Sequence, residues 1–148
     1  MIDPSEILEN YRKELTLTYD QFIAQHQVKE NQIVNDVGYE KMIQLKRIDM
    51  NSDEHFFFKD NMMKIIYLTN NKLVGIIWSE FIQSIHKNDQ GEIVGSRASK
   101  IANHIIYAKN GIAASIEGDN VIFIEFFPPQ SLQEYLSGIY KKPLSFRR

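Results

Sequence analysis

The sequence predicts one α+β domain over residues 1–148. It would be a mostly antiparallel sheet of about five to seven strands, with an N-terminal helix and a second helix packed on one face and a short C-terminal helix. The length of 148 residues suits one domain, and no repeat or linker rich in Pro, Gly or Ser divides it. Residues 112–127 alternate as a β-hairpin does, and helix-capping patterns stand near both ends of the chain.

The hairpin at residues 112–127 is the clearest strand signal in the chain. Apolar side chains fall on both faces of its second strand: Val121, Phe123 and Phe127 on one, and Ile122, Ile124 and Phe126 on the other. Glu125 is the only charged residue among them. Strands that are apolar on both faces lie inside sheets, so we expect this strand to be central.

A helix is predicted to begin at Asp3 and Pro4, because aspartate can cap free N–H groups and proline suits the first helical position. Glu6 stands where the carboxylate of a capping box reaches back. An apolar stripe of helical spacing extends this helix, although residues 16–18 weaken its middle: Leu8, Tyr11, Leu15, Tyr19, Phe22 and His26. Residues 28–38 have few apolar anchors, which indicates a connection with room for a short helical turn.

After residue 40 the apolar period changes towards two, which is typical of strands. Strands are predicted at residues 42–50, 55–59, 62–69 and 73–81, with turns at 51–54 and 70–72 and a long exposed loop at 87–95. Gly75, inside the last of these strands, suggests a bulge or a close approach of backbone.

A second helix is predicted over residues 96–109, with Ser96 as its cap and Gly111 as the left-handed residue that ends it. Its apolar face would pack on the sheet: Ala98, Ile101, Ala102 and Ile105. Two prolines then stop the 112–127 hairpin, and Ser131 and Glu134 repeat the capping-box pattern before a short helix closed by Gly138. Residues 139–146 are interpreted as a tail.

Composition excludes several function classes. The chain has no cysteine, so disulfides, thiolate nucleophiles and cysteine-ligated zinc are excluded. A formal net charge of -2 does not suit general nucleic-acid binding. No apolar run reaches the roughly 20 residues of a membrane span, and the first residues are acidic where a secretory signal is basic, so a cytoplasmic protein without membrane contact is expected.

The usual motifs of catalysis and cofactor binding are missing from the sequence. The four histidines have no metal-site spacing: His26, His55, His86 and His104. There is no GxSxG or SxxK nucleophile motif and no glycine-rich phosphate loop; the nearest feature, Gly95-Ser96-Arg97, is interpreted as an ordinary helix start. We therefore expect no cofactor and no metal, and an enzyme is not the favoured class.

Aromatic residues carry the leading hypothesis. Three consecutive phenylalanines in a strand must point to both faces of the sheet, so at least one faces away from the helices. Together with aromatic residues of the neighbouring hairpin they would form a patch for a protein partner or a homodimer: Phe56, Phe57, Phe58, Tyr67, Trp78 and Phe81. The sequence thus favours a non-enzymatic protein-interaction module of the immunity, chaperone or assembly-factor kind, using an apolar sheet face or edge. The alternative is a second small core under the 87–95 loop or the C-terminal tail.

Two rival hypotheses use polar residues. A small-ligand binder or enzyme would have its cleft between the sheet and the 96–109 helix, lined by Glu80, Glu125 and His104. A nucleic-acid accessory domain, the less favoured of the two, would use the basic residues of the second helix and the C-terminus: Arg97, Lys100, Lys141, Lys142, Arg147 and Arg148.

Overall fold

A computed structural model describes residues 4–47, 52–69, 72–85 and 91–141. Within these residues, eight strands form one antiparallel sheet. They are β1 (Ile33–Asn35), β2 (Lys41–Arg47), β3 (Ser52–Lys59), β4 (Met62–Thr69), β5 (Glu92–Gly95), β6 (Asn103–Tyr107), β7 (Ile112–Glu117) and β8 (Asn120–Phe126). Their spatial order is β1-β2-β3-β4-β8-β7-β6-β5.

The sheet consists of two four-stranded meanders that meet at their last strands. β1 to β4 follow one another as neighbours, β5 to β8 do the same, and β4 pairs with β8 at the centre. The hairpin predicted at residues 112–127 is confirmed as β7 and β8. The central position predicted for its second strand is confirmed as well, because β8 is hydrogen-bonded on both sides.

Helices cover the two faces unequally. They are α1 (Pro4–Glu14), α2 (Tyr19–His26), α3 (Lys72–Ile85) and α4 (Leu132–Tyr135), the last continued by a π-helical turn at Leu136–Tyr140. The first three pack on one side, the helix face; α4 and the π-turn cover the other, the C-terminal face. The predicted fold class is confirmed, with eight strands instead of five to seven. No helix in the described part of the chain is both long and apolar enough to cross a membrane.

The N-terminal stripe folds as two helices, where one was predicted. α1 ends at Glu14, and Thr18 begins α2 with a capping box in which Gln21 is the reciprocal partner. The break also docks on the sheet, since the Tyr19 N–H donates to the Asn61 carbonyl at 3.0 Å. Asp3, the predicted cap of the first helix, lies outside the described residues.

The strand predicted at residues 73–81 is wrong, because Lys72–Ile85 forms α3. Its buried residues have helical spacing: Val74, Ile77, Trp78 and Phe81. A short, almost uninterrupted apolar run fits a strand and a buried helix equally, and the helical solution lets α3 cover β8 and pack beside α1. Gly75 therefore lies within a helix and marks no bulge.

The helix predicted at residues 96–109 is also wrong. The Ser96 N–H donates to the Ala102 carbonyl across a turn, and Asn103–Tyr107 forms β6 between β5 and β7. Ile105, Ile106 and Tyr107 favour a strand, because β-branched and aromatic residues are enriched in strands. The left-handed conformation predicted for Gly111 is confirmed at φ 68°, but the residue follows a 3-10 turn and not an α-helix. The helix that covers this face beside the N-terminal helices is therefore α3, not the predicted 96–109 helix.

Two smaller predictions also change. Ser52–Lys59 is a continuous strand, so the start of β3 takes residues 52–54, the last three residues of the turn predicted at 51–54. Part of the loop predicted at 87–95 is β5, Glu92–Gly95, while residues 86–90 lie outside the described part. The short C-terminal helix and its Ser131–Glu134 capping box are confirmed. The hydrogen bond with the Ser131 backbone lowers the pKa of Glu134 most, and the hydrogen bond with the Ser131 side chain lowers it further. Gly138 lies within the π-turn and does not end the helix.

Candidate functional site

The six aromatic residues predicted to bind a partner are all buried. Their exposed fractions run from 0 to 8%: Phe56, Phe57, Phe58, Tyr67, Trp78 and Phe81. Phe57 does lie on the face away from α1, α2 and α3, as predicted, but it is buried there. Partner binding through these side chains stays a prediction, and it would require the covering elements to move aside.

The two faces of the sheet account for this burial. Phe56 and Phe58 lie on the helix face against Phe22 of α2, with ring centroids 4.5 and 5.5 Å away. Phe57 and Tyr67 lie on the C-terminal face, in a second core that includes Tyr135 and Ile139. The alternative interpretation, a second small core under the end of the chain, is the one the structure shows.

Glu125 and His104, two residues of the rival cleft hypothesis, do meet. His104 Nε2 lies 3.2 Å from Glu125 Oε1, and the Tyr67 and Tyr135 hydroxyls both donate to the Glu125 carboxylate. The other ring nitrogen of His104, Nδ1, lies 2.8 Å from the Ser115 hydroxyl. This set of residues is called the buried polar cluster below.

The buried polar cluster is not an accessible site. Glu125 and His104 are 0 and 1% exposed, and no described cavity is lined by either. The third predicted residue, Glu80, lies on α3 and accepts a hydrogen bond from Ser5 of α1 at 2.6 Å. The prediction of a cleft between the sheet and a 96–109 helix is therefore wrong. That helix does not form, and the three polar residues predicted to line the cleft do not line one cavity.

Of the other histidines, His26 lies on α2 and His55 on β3. Burial lowers the pKa of His55 on β3, and the negative charge of Asp53 opposes that shift. His86 lies outside the described residues. Within the part that is described, no three His, Asp or Glu side chains are arranged to hold a metal ion.

The basic residues considered for nucleic acid are only partly described. Arg97 donates to the Tyr140 carbonyl at 2.7 Å, which ties the β5–β6 turn to the C-terminal segment. Lys100 and Lys141 are exposed, and residues 142–148 lie outside the described part. Nucleic-acid binding stays untested by this geometry.

The largest cavity described is a cleft of about 690 Å³ on the helix face. It lies between the C-terminal ends of α1 and α2 and strands β2 and β3. Most of the residues that line it have polar or charged side chains: Asn10, Tyr11, Lys13, Glu14, Gln25, His26, Gln32, Leu45, Lys46, Glu54 and Phe56. A concave site of this size with convergent polar groups has the dimensions of a small-molecule site. It is called the polar cleft below.

The first pair in the polar cleft is Glu14 with His26. Nε2 of His26 lies 3.0 Å from each carboxylate oxygen of Glu14. An ionised carboxylate only accepts hydrogen bonds, so Nε2 is the nitrogen that carries hydrogen in this contact. The side chains are 28 and 18% exposed, so the pair stands at the boundary between core and solvent.

Local sequence explains how these two residues come together. Glu14 is the last residue of α1, and His26 is the last residue of α2, where Gln27 ends the helix in the left-handed conformation at φ 50°. A carboxylate at a helix C-terminus is unfavourable, because the helix dipole is negative there. Glu14 therefore breaks a local stability rule, which is typical of positions that serve a site.

The second pair is Tyr11 with Glu54. Tyr11 precedes Glu14 by three residues and so lies on the same face of α1; its hydroxyl donates to the Glu54 carboxylate on β3. Its ring stacks on Phe126 at 5.0 Å, which fixes the hydroxyl against the sheet. Glu54 and Phe56 are two residues apart in β3, so both side chains point to the helix face. β3 therefore supplies both a carboxylate and an apolar side chain to the lining of the cleft.

The negatively charged side chains of the polar cleft are more buried than the positively charged ones. The carboxylates of Glu14 and Glu54 are half-buried, whereas Lys13 and Lys46 are exposed. Neither ammonium group has an ion-pair partner among the described residues. The cleft therefore presents acceptors inside and positive charge at its rim.

The polar cleft is not predicted by the sequence. Tyr11 and His26 were assigned to an apolar helical stripe, and Glu14 and Glu54 were not singled out. The available signal was Glu14 at a helix C-terminus, but it becomes visible only when the break at residues 15–18 is recognised. Sequence spacing gives no indication that α2 returns beside α1 over β3.

The sheet has two edges in the described structure, β1 and β5. β1 has three residues, and the turn after it is held by Asp36, whose carboxylate accepts from the N–H groups of Gly38 and Tyr39. β5 has four residues and carries Ile93, which is 61% exposed. β5 is thus the longer edge, and each edge has one largely exposed apolar residue, since Val34 of β1 is 50% exposed.

No protein-family model, no curated protein and no solved structure matches this chain. Fold and site alone therefore define the class: an α+β domain with one eight-stranded antiparallel sheet in the described residues, a polar cleft on its helix face and a polar cluster buried under its C-terminal segment.

Proposed function

We propose that this protein binds a small polar molecule in the polar cleft. The observation that carries the proposal is the convergence of Tyr11, Glu14, His26 and Glu54, from two helices and one strand, on one cavity of about 690 Å³. Three carboxamide side chains from the same lining add donors and acceptors: Asn10, Gln25 and Gln32. Binding is proposed without a catalytic step, and a cytoplasmic location stays a prediction of the sequence.

The polar cleft differs from the buried polar cluster in one decisive respect. Both bring carboxylate, imidazole and phenol groups together, but only in the cleft do they line a cavity that opens to solvent. A polar group that is fully enclosed and hydrogen-bonded contributes to folding, whereas a half-buried group in a concave site can exchange its contacts with a ligand.

The test is a ligand screen read by NMR. Side-chain amide signals of Asn10, Gln25 and Gln32 report directly on the cleft. We expect at least one compound from a library of amines, carboxylates, zwitterions, sugars, nucleosides and phosphates, each at about 5 mM, to shift these signals together with the backbone signal of His26. Glu14→Gln should weaken a hit at least tenfold, because hydrogen bonds to charged groups contribute about 1.5–3 kcal/mol.

The matched control is Glu9→Gln, since Glu9 is an exposed glutamate of the same helix that does not line the cleft. Affinity for a hit should be unchanged in this variant. A library that leaves the three amide signals in place, or a hit that Glu14→Gln and Glu9→Gln weaken equally, would contradict the proposal.

A second candidate function is protein binding, and the exposed β5 edge favours it. The sequence predicts that a partner binds through an apolar sheet face or edge. The aromatic residues of the face are buried, so the edge is the surface that this proposal uses. An edge strand presents unpaired backbone N–H and C=O groups, to which another strand can add. We propose a second copy of this chain as the partner. A two-fold axis normal to the sheet would pair β5 with itself in antiparallel fashion, with each residue opposite one of the same face.

One symmetric register uses this strand best. With Ile93 opposite Ile93 of the second copy, Glu92 lies opposite Val94, and the exposed isoleucines cover each other. Shifting the axis by one residue towards the N-terminus would place Glu92 opposite Glu92, which like-charge repulsion disfavours. Three residues of each β5 strand, 92–94, lie opposite one another in this register, so we expect a weak dimer whose interface is well below the roughly 1,200 Å² of stable interfaces.

Single cysteines test this register, because the chain has none of its own. At about 0.5 mM protein and under mild oxidation, Ile93→Cys should form a disulfide dimer at least five times faster than Glu92→Cys, since only directly opposite residues bring Cα atoms within reach, about 4.5–5.5 Å. Ile76→Cys on α3, 47% exposed, is the control for random collision. Equal rates at positions 93 and 76 would rule out the edge dimer.

A further inference from the structure

We infer that the protein binds a small aromatic carboxylate, such as phenylacetate, at the end of the sheet where the chain leaves β8. This site lies outside the polar cleft and is independent of the function proposed for that cleft. Three observations carry it: a small cavity lined by apolar residues, an arginine beside that cavity whose donors are not used by the described protein, and hydrogen bonds that fix the cavity walls.

The cavity has a volume of about 200 Å³ and lies between the end of α1, the 3-10 turn before β7 and the residues that follow β8. Four of the residues that line it are apolar: Leu15, Phe127, Pro128 and Pro129. It is called the proline pocket below. Apolar cavities of about 150 Å³ accept benzene, so this volume suits one six-membered ring with a short polar group. Phe127 is fully buried and forms the floor, where an aromatic ring can make the offset or edge contacts that aromatic pairs prefer.

Arg12 supplies the charge of the proline pocket. It is a half-buried residue of α1 that lines this pocket and is not among the residues that line the polar cleft. Its side chain makes no hydrogen bond, ion pair or ring contact with another residue in the described part of the chain. A guanidinium group keeps its charge in proteins, and its planar donors match a carboxylate with two parallel hydrogen bonds. Such bonds are stronger beside apolar walls than in water, so a carboxylate is the expected partner of Arg12.

Hydrogen bonds hold the walls of the proline pocket in place. The Phe127 N–H donates to the Gly111 carbonyl at 3.0 Å. The Gln130 N–H donates to the Ala108 carbonyl at 3.0 Å, so the two prolines lie between two fixed points of the backbone. On the opposite wall, the Leu15 N–H donates to a carbonyl of α1 at 3.2 Å. A site whose walls are fixed before binding loses little conformational entropy when a ligand enters.

Four compounds test this chemistry: phenylacetate, its neutral analogue phenylacetamide, hexanoate and acetate. Binding is followed by NMR from the backbone amide signals of Thr16 and Asn110, which line the proline pocket. We expect phenylacetate at about 5 mM to shift both signals and to bind at least tenfold more tightly than the other three, each of which lacks either the charge or the ring. The side-chain amide signals of the polar cleft should stay in place: Asn10, Gln25 and Gln32.

Arg12→Met should weaken the binding of phenylacetate at least tenfold and remove its advantage over phenylacetamide, because the charged donors are lost. Arg12→Lys keeps a positive charge without the planar set of donors, so its affinity should lie between those of the parent and Arg12→Met. The matched control is Lys109→Met. Lys109 is an exposed basic residue of the 3-10 turn, next to Asn110, that does not line the proline pocket, so phenylacetate should bind this variant as it binds the parent.

Equal binding of phenylacetate and phenylacetamide, or of phenylacetate and hexanoate, would overturn the inference. The same holds if phenylacetate leaves the Thr16 and Asn110 signals in place, or if Lys109→Met weakens binding as much as Arg12→Met. The comparison of the four compounds uses the parent protein, so it decides the matter even if a variant does not fold, which thermal unfolding shows. None of these results affects the polar cleft, whose ligand screen is read from other signals.

Discussion

Replacing Glu125 with alanine is expected to destabilise the protein by about 3–5 kcal/mol, because it removes the shared acceptor of a buried hydrogen-bond network. The carboxylate is 0% exposed and accepts hydrogen bonds from the Tyr67 and Tyr135 hydroxyls, with His104 Nε2 at 3.2 Å. Its removal would take the acceptor from the hydrogen bonds that the Tyr67 and Tyr135 hydroxyls donate to it, and a buried polar group that loses its hydrogen bond carries a desolvation cost of about 1–3 kcal/mol. Tyr135 and His104 Nε2 keep their contact with each other at 2.6 Å.

Urea unfolding followed by circular dichroism measures this effect as a shift in midpoint at constant slope. Tyr135→Phe and Tyr67→Phe each remove one donor, so each should cost less than Glu125→Ala. Glu117→Ala, at an exposed glutamate of the neighbouring strand β7, is the matched control and should stay within about 0.5 kcal/mol of the parent protein. If the free energy of unfolding of Glu125→Ala is within about 1 kcal/mol of the parent value, the buried polar cluster does not hold the C-terminal segment on the sheet.

The buried polar cluster also separates what sequence can predict from what it cannot. The sequence shows Glu125 as the one charge in a strand that is predicted to be central, but it does not indicate that the carboxylate is enclosed. The donors that satisfy it come from β4 and from the segment after the two prolines, 58 and 10 residues away in the chain. Only the meeting of the two meanders at β4 and β8 places Tyr67 beside it.

Elements with strong local signals were predicted correctly. The β7–β8 hairpin and the Ser131–Glu134 capping box depend on residues within a few positions of one another, so no distant contact is needed to specify them. Residues 73–81 carried no such signal. Their apolar run fits a strand or a buried helix, and the choice is made by packing of α3 against α1 and β8.

The polar cleft illustrates the same limit for function. Its two hydrogen-bonded pairs join Glu14 to His26 and Tyr11 to Glu54, 12 and 43 residues apart. The first contact depends on where α1 breaks, and the second on which face of β3 turns towards the helices. Sequence alternation indicates the face of Glu54 only once the strand is known to begin at Ser52, where a turn had been predicted.

Gly111→Ala is expected to cost about 3 kcal/mol or more, because two separate penalties act at this position. Its φ of 68° is left-handed, which an alanine adopts only with strain. A Cβ there would also stand 2.2 Å from the carbonyl oxygen of Phe127. That oxygen is backbone, in a segment fixed by the Phe127 N–H donating to the Gly111 carbonyl at 3.0 Å, so it cannot simply rotate away.

Gly118→Ala separates the two penalties. Gly118 is also left-handed, at φ 63°, but a Cβ there would meet nothing within 4 Å. Its cost should therefore be the conformational strain alone, on the order of 1 kcal/mol. Chemical denaturation of the two variants measures the difference, which we assign to the clash at the junction of the 3-10 turn, β7 and the chain leading to α4. Equal costs at both positions would mean that the Gly111 junction yields, and that the C-terminal segment is held less rigidly than its hydrogen bonds indicate.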